Sequence, residues 1–320
     1  MNLKFKKTPF TVLGLLFGAL LISQPLAQAA AVEKIQLALN WKPEPEFGGF
    51  YAAEAQGFYR DRNIQVEILQ GGSGTPVVQM LASGKVEFGI VSADEVVMAQ
   101  AHGADVVALF AVYQTNPQAI MVHASNPAKS ISELFAKPGL VAMQRGLPYT
   151  DYLLRKYPSQ QVKIVPYTGG LSQFIKDPQF SQQCFVTSEP IEAKKSGVET
   201  RSFLIADEGY NPYTTVLATR RAVMKKNPQL VKAVVEATRA GWLDYLKHPE
   251  KTNGAMASLN KAMDAATFAA AAEAQKKLII PADSAVAVGS MSRDRWQTLI
   301  QQLTDLKVVD KKLEPSEMFN

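Results

Sequence analysis

The sequence predicts an α/β protein built as two α/β lobes facing a ligand cleft, with a helical C-terminal return. Three observations carry that prediction. Strand-like and helix-like segments alternate on a rhythm of about 30 residues, the mark of βαβ units and a mainly parallel sheet. The alternation runs in two successive blocks with no repeat, low-complexity tract or flexible linker between them. From about Arg221 onward, helical stretches dominate.

The elements follow in order. Residues 35–39 (IQLAL) read as a strand, and 49–56 as a short helix stopped at Gly57. Residues 64–69 (IQVEIL) form a second strand with apolar residues at alternate positions. A GGSG turn leads into a helix from Thr75 or Pro76 to residue 82, ended by Gly84, and 86–90 is a third strand. Ser92-Ala93-Asp94-Glu95 matches a capping box and opens a helix to residue 100, followed by a strand at 106–112. The second block begins near Ala119, with strands at 119–122, 140–142, 162–165 and 183–186 and helices starting near Ser130, Tyr149 and Leu171. Four helical stretches close the chain: LVKAVVEATRAGWLDYL, AMASLNKAM, AATFAAAAEAQKKL and RDRWQTLIQQLTDL. The expected division is residues 1–29 as a signal peptide, 30–118 with 219–320 as lobe 1, and 119–218 as lobe 2.

The signal-peptide expectation rests on Lys4, Lys6 and Lys7 before an apolar run at 12–22 and an Ala27-Gln28-Ala29 site. That run is well short of the ~20 residues that span a bilayer. Its removal takes three lysines and no acid, so the formal charge of the 320-residue chain falls from +5 to +2. No lysine or arginine block asks for nucleic acid or an anionic membrane. The single cysteine, Cys184, excludes an intramolecular disulfide and lies away from the cleavage site of a lipid anchor. An export signal without bridges fits a soluble periplasmic protein stabilised by its core.

In open parallel sheets, ligands sit beyond the carboxyl ends of the strands. The residues there are Asn40, Trp41 and the turn through Phe47 to Tyr51; Gly72, Ser73, Gly74 and Thr75; Ser92, Asp94 and Glu95; Gln144 with Arg145; Tyr167; Glu189 after CFVTS; and Tyr210 and Tyr213 before the return to lobe 1. Aromatic faces, hydroxyls, amides and a few carboxylates suit a small-molecule pocket. Each has a plainer alternative. Trp41 is either core or a cleft wall, although its charged and proline neighbours favour the wall. GGSG is either a tight connection or a helix N-terminus that seats an anion. Glu189 is a helix-start charge or an acceptor for a ligand N–H, and the two tyrosines contact ligand or pack the crossover. His102, His123 and His248 share no metal-binding spacing, no GxSxG elbow occurs, and Cys184 reads as an inert buried thiol. GGSG has neither dinucleotide nor P-loop spacing. No cofactor, metal or catalytic role is expected.

LNWKPEPEFGGFYAAEAQGFY and QGGSGTPVVQMLASGKVEFGIVSADE resemble the amino-terminal half of solute-binding proteins of ABC importers, in the branch of thiamine-pyrimidine-precursor, riboflavin and alkanesulfonate, taurine and nitrate binders. The likeness runs on through FVTSEPIEAKKSG and GYNPYTTVLATRRAVMKKNPQLVKAVVEATRAGWLDYLKHP to the terminal VVDKKLEPSEMF. It implies a type II periplasmic-binding-protein fold whose lobes close on ligand. It puts ligand-facing roles on Trp41, Tyr51, the 72–75 turn, residues 92–95 and Glu189, with Tyr167, Tyr210 and Tyr213 matched less closely. The resemblance implies one departure: many relatives carry histidine just before the double glycine, where this chain has Phe47. The implied function is capture of a small, polar, heteroaromatic solute, a thiamine pyrimidine precursor or a flavin, by a monomeric receptor that delivers it to a membrane permease and its ATPase. The alternative ligand is a sulfonate- or nitrate-type anion held at GGSG with Arg145; a pyrimidine-processing enzyme is a more distant reading. The cysteine-rich segment of pyrimidine-synthesising relatives does not occur here.

Overall fold

Two five-stranded sheets carry the fold of the computed structural model, which describes residues 1–7, 31–281, 283 and 285–320. The strands are β1 (Glu33–Ala38), β2 (Ile64–Leu69), β3 (Phe88–Val91), β4 (Val106–Tyr113), β5 (Gln118–His123), β6 (Gly139–Met143), β7 (Val162–Pro166), β8 (Phe180–Phe185), β9 (Thr200–Leu204) and β10 (Thr214–Arg220). The first sheet has the order β2-β1-β3-β10-β4 and the second β7-β6-β8-β5-β9. Residues 8–30, which hold the apolar run and cleavage site of the expected signal peptide, lie outside the described residues.

Each sheet is mixed. β10 runs antiparallel between β3 and β4, and β5 runs antiparallel between β8 and β9. These two strands adjoin the crossovers, 114–117 from β4 to β5 and 205–213 from β9 to β10. The first sheet therefore takes the chain back at Thr214, earlier than the expected boundary at 219. β9 and β10 have no counterpart among the expected strands, because their TRSFL and TTVLATR segments stand outside the βαβ rhythm. The other expected strands are present with ends displaced by a few residues, and the C-terminal return contains helices Pro228–Tyr245, Glu250–Leu259, Ala265–Ile279 and Arg293–Asp305.

The two-residue period of the strands sorts side chains by size. In the first sheet Leu37, Phe110 and Leu217 enter one core, whereas their neighbours Ala38, Ala111 and Ala218 enter the other. The bulky face lies under helices Gly48–Ala55 and Pro228–Tyr245, which supply Phe50, Ala53, Val234 and Trp242 to that core. Those two helices touch through glycine. A Cβ on Gly49 would stand 2.2 Å from the Trp242 ring, one on Gly48 2.1 Å from the Tyr245 ring, and one on Gly241 2.2 Å from the Gly49 carbonyl oxygen. Trp242 meets Phe50 edge-on at 5.8 Å, the offset geometry that aromatic pairs favour.

Since the obstacles at Gly241 include the backbone of Gly49 and Ala53, no side-chain rotation relieves them. Gly241→Ala should lower unfolding stability by about 1–3 kcal/mol through overpacking, read as a lower urea midpoint with an unchanged slope.

Candidate functional site

A cavity of about 410 Å³ lies where the carboxyl ends of the two sheets face each other. Its first-lobe wall is the loop that leaves β1, from Asn40 to Glu46, with Thr214 and Thr215 of β10 and the 260–263 turn. Its second-lobe wall comprises Gln144, Tyr167, Gln183 and the start of helix Glu189–Lys195. That is the size and place of a small-ligand site in an open α/β sheet.

Three buried polar side chains hold the first wall. Tyr113 Oη donates to Gln275 Oε1 at 2.8 Å, Gln275 Nε2 donates to the Pro45 carbonyl at 2.9 Å, and Asn260 Nδ2 donates to the Pro43 carbonyl at 3.1 Å. With the carbonyls of the two prolines engaged from the C-terminal helices, Glu44 and Glu46 are left at the cavity. Trp41 is 38% exposed there, and its indole N–H donates to Glu44 Oε1 at 3.2 Å. On the opposite wall, Tyr167 Oη donates to Glu189 Oε1 at 2.7 Å and the Phe185 N–H donates to Glu189 Oε2 at 2.8 Å. Glu192 lines the cavity three residues further along the same helix, on the same face.

The walls thus bring four carboxylates together, two from each lobe. Burial pushes the Glu44 carboxyl from its ordinary 4.5 up to about 7; the Trp41 N–H works against this and Glu192 and Glu189 add to it. Burial raises Glu46 well above its ordinary value, with Glu44 and Glu189 adding to the effect. Burial also raises Glu189, although the Tyr167 and Phe185 hydrogen bonds favour its ionised form. Lys42 is the cationic side chain among the residues lining this cavity. At its margin, Lys195 of the second lobe pairs with Asp264, which also caps helix Ala265–Ile279 through the Thr267 N–H.

Five residues singled out from the sequence meet in this cavity: Asn40, Trp41, Gln144, Tyr167 and Glu189. The others lie elsewhere. Phe47 is fully buried and Tyr51 nearly so, both in the core under helix Pro228–Tyr245, because Gly48 and Gly49 draw their helix onto Trp242 and Tyr245 rather than toward a ligand. Gly72, Ser73, Gly74 and Thr75 form a turn closed on itself: the Gly72 N–H donates to Thr75 Oγ1 at 2.9 Å and the Thr75 N–H to the Gly72 carbonyl at 3.1 Å. The helix beyond it, Val77–Ser83, is a short one that begins only two residues after the turn. Ser92 and Glu95 make the reciprocal capping box of helix Ala93–Ala101. Asp94 accepts from Tyr210 Oη at 3.4 Å, and the Tyr213 hydroxyl accepts from the Ser292 N–H, so both tyrosines pack at the crossover. Arg145 donates to the Ile164 carbonyl at 3.3 Å and does not line the cavity.

Glu44, Glu46, Gln118, Gln183, Glu192 and Asn260 line the site without having been singled out. Glu44 and Glu46 sit inside the loop already chosen for its tryptophan, so their alternation with Pro43 and Pro45 was the available signal. Cys184 reaches the cavity wall but is 1% exposed, and burial holds its thiol well above the ordinary range, unsuited to a nucleophile. Among the described residues, no group of three His, Cys, Asp or Glu side chains is placed to hold a metal ion.

Two α/β lobes, two crossovers and a cavity between facing strand ends define the periplasmic-binding-protein fold. The solved aliphatic sulphonate binding protein SsuA of Escherichia coli superimposes with a TM-score of 0.69 at 17% identity, over 89% of this chain and 91% of that one. The family described as NMT1/THI5 like matches residues 44–252, and the chain belongs to it. It is 24% identical over 243 residues to the riboflavin-binding protein RibY of Chloroflexus aurantiacus, spanning 69% of this chain and 64% of that protein. It is 21% identical over 255 residues to the formylaminopyrimidine-binding protein of Halalkalibacterium halodurans, with 76% of each covered. A 4-amino-5-hydroxymethyl-2-methylpyrimidine phosphate synthase of Legionella pneumophila matches more locally, 24% over 112 residues and 35% of each chain.

Raised carboxyl values in the folded state set a sign. Glu44 holds its proton more tightly folded than unfolded, so its contribution is fully present below about 4.5 and is lost as pH rises through about 7. Glu46 and Glu189 act in the same direction. The ligand-free protein should lose melting temperature between pH 5 and pH 7.5, and Glu44→Gln should flatten that slope. Tyr51→Phe removes a buried hydroxyl that has no hydrogen-bond partner among the described residues. It should raise stability by roughly 1 kcal/mol, the cost of leaving such a group unpaired, and should leave ligand affinity unchanged; a loss of affinity would return Tyr51 to the ligand.

Proposed function

We propose that this protein is the substrate-binding component of an ABC import system, capturing a small planar N-heterocycle that carries N–H donors. The observation that carries this reading is the pairing of aromatic faces with carboxylates on both sides of one cavity: Trp41, Glu44 and Glu46 from one lobe, Tyr167, Glu189 and Glu192 from the other. A planar ring stacks on the indole, and its N–H groups donate to carboxylate oxygens. A ring pair is worth ~0.5–1.5 kcal/mol beyond the area it buries, and hydrogen bonds to charged acceptors ~1.5–3 kcal/mol each. Because the two walls belong to different lobes, ligand contacts complete only when the lobes approach, so binding favours the closed form. The families of riboflavin and formylaminopyrimidine binders among the relatives support a heterocycle. The receptor works in the periplasm after export, as a monomer, and hands its solute to a membrane permease driven by an ATPase.

A sulfonate or nitrate ligand fits this cavity poorly. An oxoanion would lie among four carboxylates with Lys42 as its cationic neighbour, and Arg145 and the 72–75 turn stand outside the lining. Shared fold with a sulphonate binder carries over the scaffold, not the charge of the site. Cys184 is unsuited to act as a nucleophile here, because it is 1% exposed and burial holds its thiol well above the ordinary range.

A calorimetric panel of a formylaminopyrimidine, riboflavin and taurine tests the reading. One of the heterocycles should bind, Trp41→Ala should weaken it at least about tenfold, and taurine should give no heat. Ionised Glu44 is the better acceptor, so affinity should rise with pH through about 7 and then level off. Binding of taurine alone would overturn the proposal.

A further inference from the structure

Both crossovers meet one side chain. Arg295, in the first turn of helix Arg293–Asp305, donates through Nη1 to the Gln114 carbonyl at 2.6 Å, through Nε to the Asn211 carbonyl at 2.8 Å, and through Nη2 to Asn211 Oδ1 at 3.0 Å. Gln114 belongs to the crossover that leaves β4, and Asn211 to the one that returns to β10. The guanidinium also lies over the Tyr213 ring, 3.8 Å from its centroid. The Tyr213 hydroxyl in turn accepts from the Ser292 N–H at 3.0 Å, at the cap of the same helix.

The two crossovers are also bonded to each other at this point. The Asn116 N–H donates to Asn211 Oδ1 at 2.9 Å, Asn116 Nδ2 donates to the Pro212 carbonyl at 3.1 Å, and Asn116 Oδ1 accepts from the Gln118 N–H at 2.9 Å, where β5 begins. Asn211 Oδ1 therefore serves both Arg295 and Asn116. A planar fork with several donors in fixed directions can hold two chain segments at once, which a point charge cannot. Just past this cluster, Thr215 takes φ +51°, a backbone region that a β-branched residue rarely occupies, while 4% exposed in the cavity wall. Arg295 itself does not line the cavity.

We propose that Arg295 is the hinge clasp of this receptor: it anchors both crossovers to a first-lobe helix, so that the second lobe turns about the Asn116–Asn211 pair as one body. Its role is positional. Without it the two crossovers move independently, and the closed geometry that aligns Glu44 with Glu189 is reached less often. This rests on lobe closure as proposed above, but on no particular ligand.

The test therefore uses ligand-free protein. Spin labels at Gln65→Cys on β2 and Lys163→Cys on β7, both exposed, report the inter-lobe distance, with the native Cys184 buried. Arg295→Lys keeps the charge and loses the fork. It should widen the distance distribution about twofold and speed amide exchange in residues 114–118 and 205–213 by about tenfold, with exchange in both sheets unchanged. Arg295→Gln should do the same or more. Lys195→Ala, which breaks the ion pair at the cavity margin, should move the mean distance without touching crossover exchange. An unchanged width in Arg295→Lys, or faster exchange spread evenly through both sheets, would overturn the clasp. Such a result would leave the ligand reading intact, because calorimetry on the unlabelled protein tests that separately.

Discussion

The contact between helix Gly48–Ala55 and helix Pro228–Tyr245 is the constraint on which the rest of the site depends. Without side chains at Gly49 and Gly241, the two helices approach until a carbonyl oxygen stands 2.2 Å from where a Cβ would be. That closeness rotates the N-terminal helix so that Phe47, Phe50 and Tyr51 enter the core. The loop before it is then pulled tight from Trp41 to Glu46 and pinned through the Pro43 and Pro45 carbonyls by Asn260 and Gln275. Side chains that cannot enter the core, Trp41, Glu44 and Glu46, face the cavity instead. The C-terminal return thus does more than cover the first sheet. It supplies both the surface that swallows three aromatics and the polar side chains that hold the site loop.

The second feature is electrostatic. Carboxylates from both lobes oppose one another across the cavity: burial raises Glu44, Glu46 and Glu189, Glu189 adds to the rise of both first-lobe residues, and Glu192 adds to that of Glu44 and Glu189. Bringing the lobes together empty concentrates like charge in a poorly hydrated space, which is unfavourable. A ligand with N–H donors, or a bound proton, offsets that repulsion. Under the function proposed above, closure of the empty protein is disfavoured by the same carboxylates that would accept hydrogen bonds from the solute. The fold is shared with a sulphonate binder, so the ligand class proposed above rests on the sign of charge in the wall rather than on the scaffold.

Much of the fold was legible. The βαβ rhythm and the capping box at Ser92–Glu95 are local signals, and both correspond to observed elements. β9 and β10 were not legible, because their partners lie far along the chain and their pairing depends on the crossover rather than on local pattern. Strand ends pointed to Asn40, Trp41, Gln144, Tyr167 and Glu189, which line one cavity. The same rule misplaced Phe47 and Tyr51. A sequence cannot show which face of a short helix meets a partner helix nearly 200 residues away. From sequence, Glu44 and Glu46 read only as neighbours that favour a cleft wall for Trp41, because their burial depends on residues of the second lobe that lie far along the chain. Phe47, where the resemblance led to the expectation of a changed ligand contact, is a fully buried core residue.

The most direct measurement of the central claim is mass spectrometry of the small molecule released on denaturing protein purified gently from its own cells. The account predicts a planar nitrogen heterocycle with at least one exocyclic or ring N–H, present in stoichiometric amount in the native protein and absent from Trp41→Ala. Release of a sulfonate or another oxoanion in stoichiometric amount would contradict it.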